Sequence, residues 1–406
     1  MDIESVESKY KLKEMELNAL LEITQAINSN LPEQSLYKIY DFTLRASLNI
    51  SKLTLYVKDE KWTCKANFGT EADFSEIPLD RVFLDRPHTG LIDHSMCESA
   101  FDEFEQVIPI AHKDDILAFV FLSGRTNETG EALYVNTNFV QALSNIIIVA
   151  IENKKLARKQ MKQEIFNKEM EIAANVQKML LPDSLPQSGF VKVVADYKPH
   201  HSVGGDYYDF IPFDEDSFLI CIADVSGKGV PAALLMSNFQ ASLRTIARKT
   251  TCLKEIVAEL NFQIKGAGTD NFITFFIASY DRRTKLFSYV NAGHNPPVLF
   301  DGKGHIQLLK DGTTVLGFFD PLPFLNEGTI SGLEDFTLFC YTDGLTECFD
   351  EEGVEFGQER LVSYLNDSAK LELKEMHTGL LGSVREFAGH DKWSDDITLL
   401  TCRVGG

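Results

Sequence analysis

No Cys-x-x-Cys pair occurs in this chain, and its seven cysteines (Cys64, Cys97, Cys221, Cys252, Cys340, Cys348 and Cys402) are scattered and odd in number. That pattern argues against a zinc knuckle or a disulfide framework and fits reduced thiols in a cytoplasmic protein. Long apolar runs are also lacking. Ile116–Leu122, Ile146–Ile151 and Phe218–Ala223 are the longest, far short of the roughly 20 residues a membrane-spanning helix needs, so no membrane insertion is expected. The opening Met-Asp-Ile-Glu-Ser is acidic and has no apolar core, unlike a secretory signal. Positive charge is scarce: 39 Lys and Arg face 60 Asp and Glu, a formal net charge of −21. A nucleic acid is therefore not an expected partner. The acid excess suits solubility first and the collection of divalent cations second.

What is present is an ordinary globular composition. A hydrophobic fraction of 44% supplies a sizeable core, and 406 residues suggest two or three domains. Apolar spacing predicts a helix over Leu12–Asn28, strands at Leu53–Val57, Trp62–Ala66, Gln106–Ile110 and Leu117–Leu122, and a helix over Asn138–Ile151. Glycine and proline are absent from Glu131 to Leu181, so that helix is expected to continue until Pro182 and Pro186 end it. Met161, Ile165, Ile172 and Met179 allow one seam of a short coiled coil, a pattern that Lys154, Arg158 and Lys168 at other seam positions weaken; a single solvated connector is the alternative. Beyond Phe190, strands are predicted at Val191–Tyr197, Asp206–Pro212, Phe218–Asp224, Ile273–Tyr280, Lys285–Ala292, Phe336–Tyr341 and Ile397–Arg403. Helices are predicted at Gly229–Lys249, Gln358–Leu365 and Lys374–Phe387. The order is that of an α+β chain. The domains expected are an N-terminal helical segment (1–17), a small α/β domain (18–152), a connector (153–185) and an α+β sandwich (186–406).

Four acidic positions stand at strand ends beside glycine or another turn residue: Gly204-Gly205-Asp206, Ala223-Asp224-Val225-Ser226-Gly227, Tyr341-Thr342-Asp343-Gly344 and Ser394-Asp395-Asp396. Carboxylates there project at the rim of a sheet, where several strands converge. Their oxygens are the ligands that Mg²⁺ and Mn²⁺ prefer, and a pair of such ions would remove the mutual repulsion. Each Asp alone is more often a turn residue; the set is more specific than its members.

Residues 190–403 resemble the SpoIIE-like branch of the PPM (type 2C) metal-dependent protein phosphatases. The matching motifs run in order: Gly204-Gly205-Asp206-Tyr207-Tyr208-Asp209-Phe210, Asp224-Val225-Ser226-Gly227-Lys228-Gly229, Ala292-Gly293-His294-Asn295-Pro296-Pro297, Thr342-Asp343-Gly344-Leu345-Thr346-Glu347 and Ser394-Asp395-Asp396-Ile397-Thr398. The lead-in Gln177-Lys178-Met179-Leu180-Leu181-Pro182 also resembles the family's. The resemblance implies a β-sandwich flanked by helices, two Mn²⁺ or Mg²⁺ ions at one edge, and hydrolysis of a phosphoserine or phosphothreonine by water. It implies that Asp224 bridges the ions, that the Val225 carbonyl and Asp206 help hold one, and that Asp343 and Asp395 hold the other. Asp209 and Asp396 are left as outer support or as ligands of a third ion. His294 is read as a general acid or as a buried turn histidine, and Lys228 as a phosphate contact or a solvated lysine.

Residues 18–152 resemble a GAF domain in the order of elements, without the cyclic-nucleotide signature of that family or a chromophore cysteine in a recognisable setting. A dimerisation domain without ligand is the alternative. His88, His94 and Cys97 fall in a polar loop, where incidental side chains are the plainer reading. The expectation is a sensor–linker–phosphatase that acts as a homodimer on a small phosphorylated regulatory protein, such as an anti-sigma-factor antagonist. A catalytically inactive phosphatase fold used for binding and a nucleotide phosphohydrolase are the rivals.

Overall fold

The computed structural model describes every residue except 1–2, 48, 86, 88, 96, 98, 114, 126–134, 188, 267–270, 302–304, 391–392 and 406. The chain divides into two compact units, Met1–Glu164 and Ile165–Gly406.

The first unit holds helices α1 (Ile3–Asn28) and α2 (Glu33–Ser47), strands β1 (Ile50–Lys58) and β2 (Trp62–Phe68), a short α3 (Arg81–Asp85), strands β3 (Gly90–Leu91), β4 (Gln106–His112) and β5 (Asp115–Gly124), and the start of α4 (Thr137–Lys178). Its strands form one antiparallel sheet in the order β2-β1-β5-β4-β3. Side chains alternate across the sheet, as a period of two demands. Leu53, Leu55, Val57, Val120 and Leu122 pack with Ile23, Tyr40, Leu143 and Ile147 of the helices. On the other face, Tyr56, Phe119 and Phe121 join Phe74, Phe83, Phe101 and Phe104. Helix α4 runs unbroken for 42 residues, and the division between the units falls inside it.

The second unit continues with β6 (Val191–Lys198), β7 (Tyr207–Pro212), β8 (Ser217–Val225), α5 (Val230–Ile246), α6 (Leu253–Gly266), β9 (Ile273–Asp281), β10 (Leu286–Ala292), β11 (Val298–Asp301), β12 (Ile306–Leu308), β13 (Gly312–Thr313), β14 (Gly328–Ser331), β15 (Phe336–Tyr341), α7 (Asp343–Thr346), α8 (Gly357–Ser368), α9 (Leu373–Ala388) and β16 (Ile397–Val404). One sheet has the order β13-β10-β9-β8-β7 with β14 beside β10; the other has the order β12-β11-β15-β16-β6. The sheets face each other through Phe218, Ile220, Ile222, Phe276, Leu338, Cys340, Leu400 and Cys402. Outward-facing Leu219, Cys221, Ala223, Phe275 and Ile277 are covered by α5 and α6. Phe339, Tyr341, Ile397 and Leu399 are covered by α8 and α9. The result is a sandwich of two sheets between two helical layers. Pro231, the second residue of α5, sits where a missing N–H leaves no bond unmade. All seven cysteines carry free thiols. Among the described residues no helix is long and apolar enough to cross a membrane.

Candidate active site

The two sheets deliver their carboxylates to one edge of the sandwich. Asp206 immediately precedes β7, Asp224 and Val225 end β8, Asp343 opens α7 directly after β15, and Asp395 and Asp396 immediately precede β16. Strands β7 and β8 are neighbours in one sheet, and β15 and β16 are neighbours in the other. Each carboxylate therefore stands where a strand starts or stops, and strand pairing fixes the spacing.

Asp206 is 1% exposed. Its Oδ2 accepts hydrogen bonds from Thr342 Oγ1 (2.9 Å), just past the end of β15, and from Thr398 Oγ1 (2.6 Å), at the start of β16. Its Oδ1 is buried and no donor reaches it. An acceptor buried without a partner costs a few kcal/mol, of order 1–3, so this oxygen marks a place built for something positive. Burial and then the neighbouring Asp224 hold the Asp206 carboxyl well above the usual carboxylate range. Burial, then Asp343 and Asp395, push Asp224 up to about 8. Burial and Asp395 raise Asp343, with Lys228 opposing them. Glu347 is raised too, by burial and then by Asp343. The cation at hand is Lys228, whose Nζ lies 2.7 Å from Asp395 Oδ2 and donates to the Ser394 carbonyl (2.9 Å). That pair is roughly half exposed, worth about 1 kcal/mol at most, and leaves Asp206 and Asp224 uncompensated. An all-oxygen cluster of this kind suits hard divalent ions.

Among the described residues, no three of these carboxylates bring an oxygen within 4.8 Å of one another. They form an edge rather than a single-ion cage. The group that does meet that spacing is His94, Cys97 and Asp102 in the first unit, with His94 and Asp102 exposed. His94 Nδ1 there lies 3.2 Å from Asp102 Oδ1. His88 lies outside the described residues.

The other expected positions divide. Asp396 serves the loop: its Oδ2 accepts from the Gly205 N–H (2.8 Å) and its Oδ1 from the His200 N–H (2.7 Å). Asp209 stands apart from the edge. It is fully buried, and its oxygens take Arg244 Nε (2.7 Å), Arg244 Nη2 (3.1 Å) and the Tyr207 hydroxyl. His294 follows β10, with Nδ1 2.8 Å from Thr274 Oγ1 and Nε2 buried without a partner. Burial pushes its pKa down to about 4, so its ring is neutral near pH 7. Thr274 is the residue paired with Asp224 across β8 and β9. Thr342, Thr398, Glu347 and Arg244 were not singled out from the sequence as site residues. The first three lie inside the quoted motifs, but nothing in their spacing says which side chain turns inward.

This sandwich, with carboxylates at one edge, defines a PP2C-type phosphatase domain. The solved SiaA-PP2C domain of Pseudomonas aeruginosa superposes on it with a TM-score of 0.53 and 24% identity, over 60% of this chain and 98% of that one. The family described as Stage II sporulation protein E (SpoIIE) matches residues 214–405, a span that includes Asp224, Val225, His294, Asp343, Asp395 and Asp396. Phosphoserine phosphatase RsbU of Bacillus subtilis (strain 168) is 32% identical over 252 residues, 59% of this chain and 71% of RsbU. Phosphoserine phosphatase RsbP of the same organism is 28% identical over 185 residues, 44% of this chain and 45% of RsbP. The chain belongs to the SpoIIE family and is a protein serine/threonine phosphatase.

Proposed function

We propose that this protein hydrolyses phosphoserine or phosphothreonine on a small phosphorylated regulatory protein, with two Mn²⁺ or Mg²⁺ ions held at the carboxylate edge. The observation that carries the reading is the buried, donorless Oδ1 of Asp206 beside Asp224, in a row of carboxylates at one edge of the sandwich. Asp224 would bridge the two ions. Asp206 and the Val225 carbonyl would hold one, and Asp343 and Asp395 the other. Bound there, the ions supply a water of lowered pKa and offset the charge that builds on the phosphoryl group. The chain's own residues orient this chemistry. Thr342 and Thr398 fix Asp206 through one oxygen and leave the other free. Lys228, paired with Asp395, would be free to meet the phosphate once a cation offset that carboxylate. The buried, neutral His294, held by Thr274, is read here as a structural residue rather than as the general acid.

The first unit is proposed as a GAF-like sensory domain, and the protein as a cytoplasmic homodimer whose copies meet along α4. Its seam residues Met161, Ile165 and Ile172, and Met179 just beyond its end, are each about half exposed or more, and a second copy of the same helix would cover them. The Ile165→Asp, Ile172→Asp double variant should then be monomeric with altered turnover; an unchanged mass and rate would make the helix a passive tether.

The test of the activity is a side-by-side assay of a phosphoserine protein and of nucleotides, with metal supplied and then removed. Release of phosphate from the phosphoprotein alone, only with metal, is the expected result. Preference for nucleotides, or turnover of neither substrate, would overturn the reading.

A further inference from the structure

The end of α4 is tied to the Asp206 loop by one side chain. Gln177 is 6% exposed. Its Nε2 donates to the Gly204 carbonyl (2.6 Å), and its Oε1 accepts from the Gly204 N–H (3.2 Å). One primary amide thus closes on both backbone groups of a single residue, much as a strand would. Gly204 lies two positions before Asp206, on the same short loop.

That loop has little freedom on its other sides. A Cβ at Gly204 would lie 2.1 Å from Asp396 Oδ2 and 2.2 Å from the Tyr197 hydroxyl, and one at Gly205 would lie 2.8 Å from the Val225 carbonyl oxygen. Asp396 also binds the Gly205 N–H. The backbone before Asp206 is therefore wedged between Asp396, the Val225 carbonyl and Gln177. Asp396 and Val225 belong to the carboxylate edge; Gln177 alone of the three comes from a helix outside the sandwich. A second tie from the same helix end reaches elsewhere: Gln240 of α5 donates to the Leu180 carbonyl (3.2 Å) and does not touch the loop.

We propose that Gln177 is a positioning residue for the cation site. It holds Gly204 so that Asp206 Oδ1 and the Val225 carbonyl keep the separation an ion needs, and a shift of the last turn of α4 releases that hold. The inference rests on the reading of the edge as a divalent-cation site. It makes the terminal turn of α4 a part of the site: Mn²⁺ affinity then depends on where that turn sits, with no ligand residue altered.

The test uses full-length protein and three variants. Gln177→Met keeps the volume and removes both hydrogen bonds. Gln177→Asn keeps the amide but withdraws it by one methylene. Gln240→Met removes the neighbouring tie. Bound Mn²⁺ is counted from the electron paramagnetic resonance signal of the free ion, and phosphoserine turnover is followed against Mn²⁺ concentration. The two Gln177 variants should bind Mn²⁺ about tenfold or more weakly, the usual size for loss of a group that orients a ligand. Excess Mn²⁺ should restore most of their turnover. Gln240→Met should bind Mn²⁺ as the unaltered protein does, even where its thermal midpoint falls. If Gln177→Met does not fold, Gln177→Asn carries the same comparison. A folded Gln177 variant with unaltered Mn²⁺ affinity overturns the proposal, as does equal weakening in Gln240→Met. An unaltered protein that binds no Mn²⁺ overturns instead the cation reading on which the proposal rests.

Discussion

Asp206 and Asp209 lie three residues apart on either side of the start of β7, and both are almost wholly buried. Asp209 meets the Arg244 guanidinium with both oxygens and takes the Tyr207 hydroxyl as well. Asp206 meets two threonine hydroxyls on one oxygen and nothing on the other, with Asp224 as its neighbour. The same residue type on either side of one strand's start thus serves two purposes. A buried carboxylate with a full set of donors ties a helix to a sheet. One left short, among others of its kind, is the residue proposed above as a cation ligand.

The largest effect should come from the deficient side. Asp224→Asn and Asp343→Asn each remove a ligand charge with little change of volume, and turnover is expected to fall about a hundredfold or more while the fold persists. Normal turnover in either variant would show that the ligands are misassigned. Asp395→Asn should be nearly as damaging. Asp396→Asn, which affects a loop held through the Gly205 and His200 N–H groups, should cost about tenfold; equal loss in both rejects the ordering. Turning Asp209 into a carboxylate without its partner sharpens the contrast. Arg244→Met should destabilise the protein by about 3 kcal/mol in a denaturant titration, and Mn²⁺ should not repair it. Recovery with Mn²⁺ would mean that Asp209 also faces a cation site.

The smallest effect concerns pH. In metal-free protein Asp224 holds its proton up to about 8, against 3.8 in an unfolded chain. Between those values the folded state keeps a proton that the unfolded state has lost. Its stabilising contribution is therefore complete below about pH 4 and is lost as pH rises toward about 8. Metal-free protein should lose more stability than metal-free Asp224→Asn between about pH 5 and about pH 8. Identical slopes would place Asp224 in water.

Much of the edge is legible in the sequence because strand ends are. Apolar strand-like runs stop at Asp224 and Tyr341 and resume at Ile397, so the acids at those junctions mark the edge without any structure. Short strands are not legible: β11 to β14 have two to four residues each, too few for a period to show. Helix α6 is a different case, since Ile256, Val257, Leu260 and Ile264 repeat at helical spacing beyond the helix read over Gly229–Lys249. Helix α2 carries Leu36, Tyr37, Tyr40 and Leu44 on its buried face, where aromatic residues of modest helical propensity blur the pattern. The pairings that decide function are hidden for a plainer reason. Arg244 reaches Asp209 across 35 residues and Gln177 reaches Gly204 across 27, and no spacing rule connects positions that only the folded sandwich brings together.

The most direct measurement is the number of Mn²⁺ ions bound per chain, by calorimetry on metal-stripped protein. Two ions are expected for the unaltered protein, fewer for Asp224→Asn, and two again for Arg244→Met under conditions where it is folded. No Mn²⁺ bound by the unaltered protein, or the same number bound by Asp224→Asn with unchanged affinity, would contradict the account.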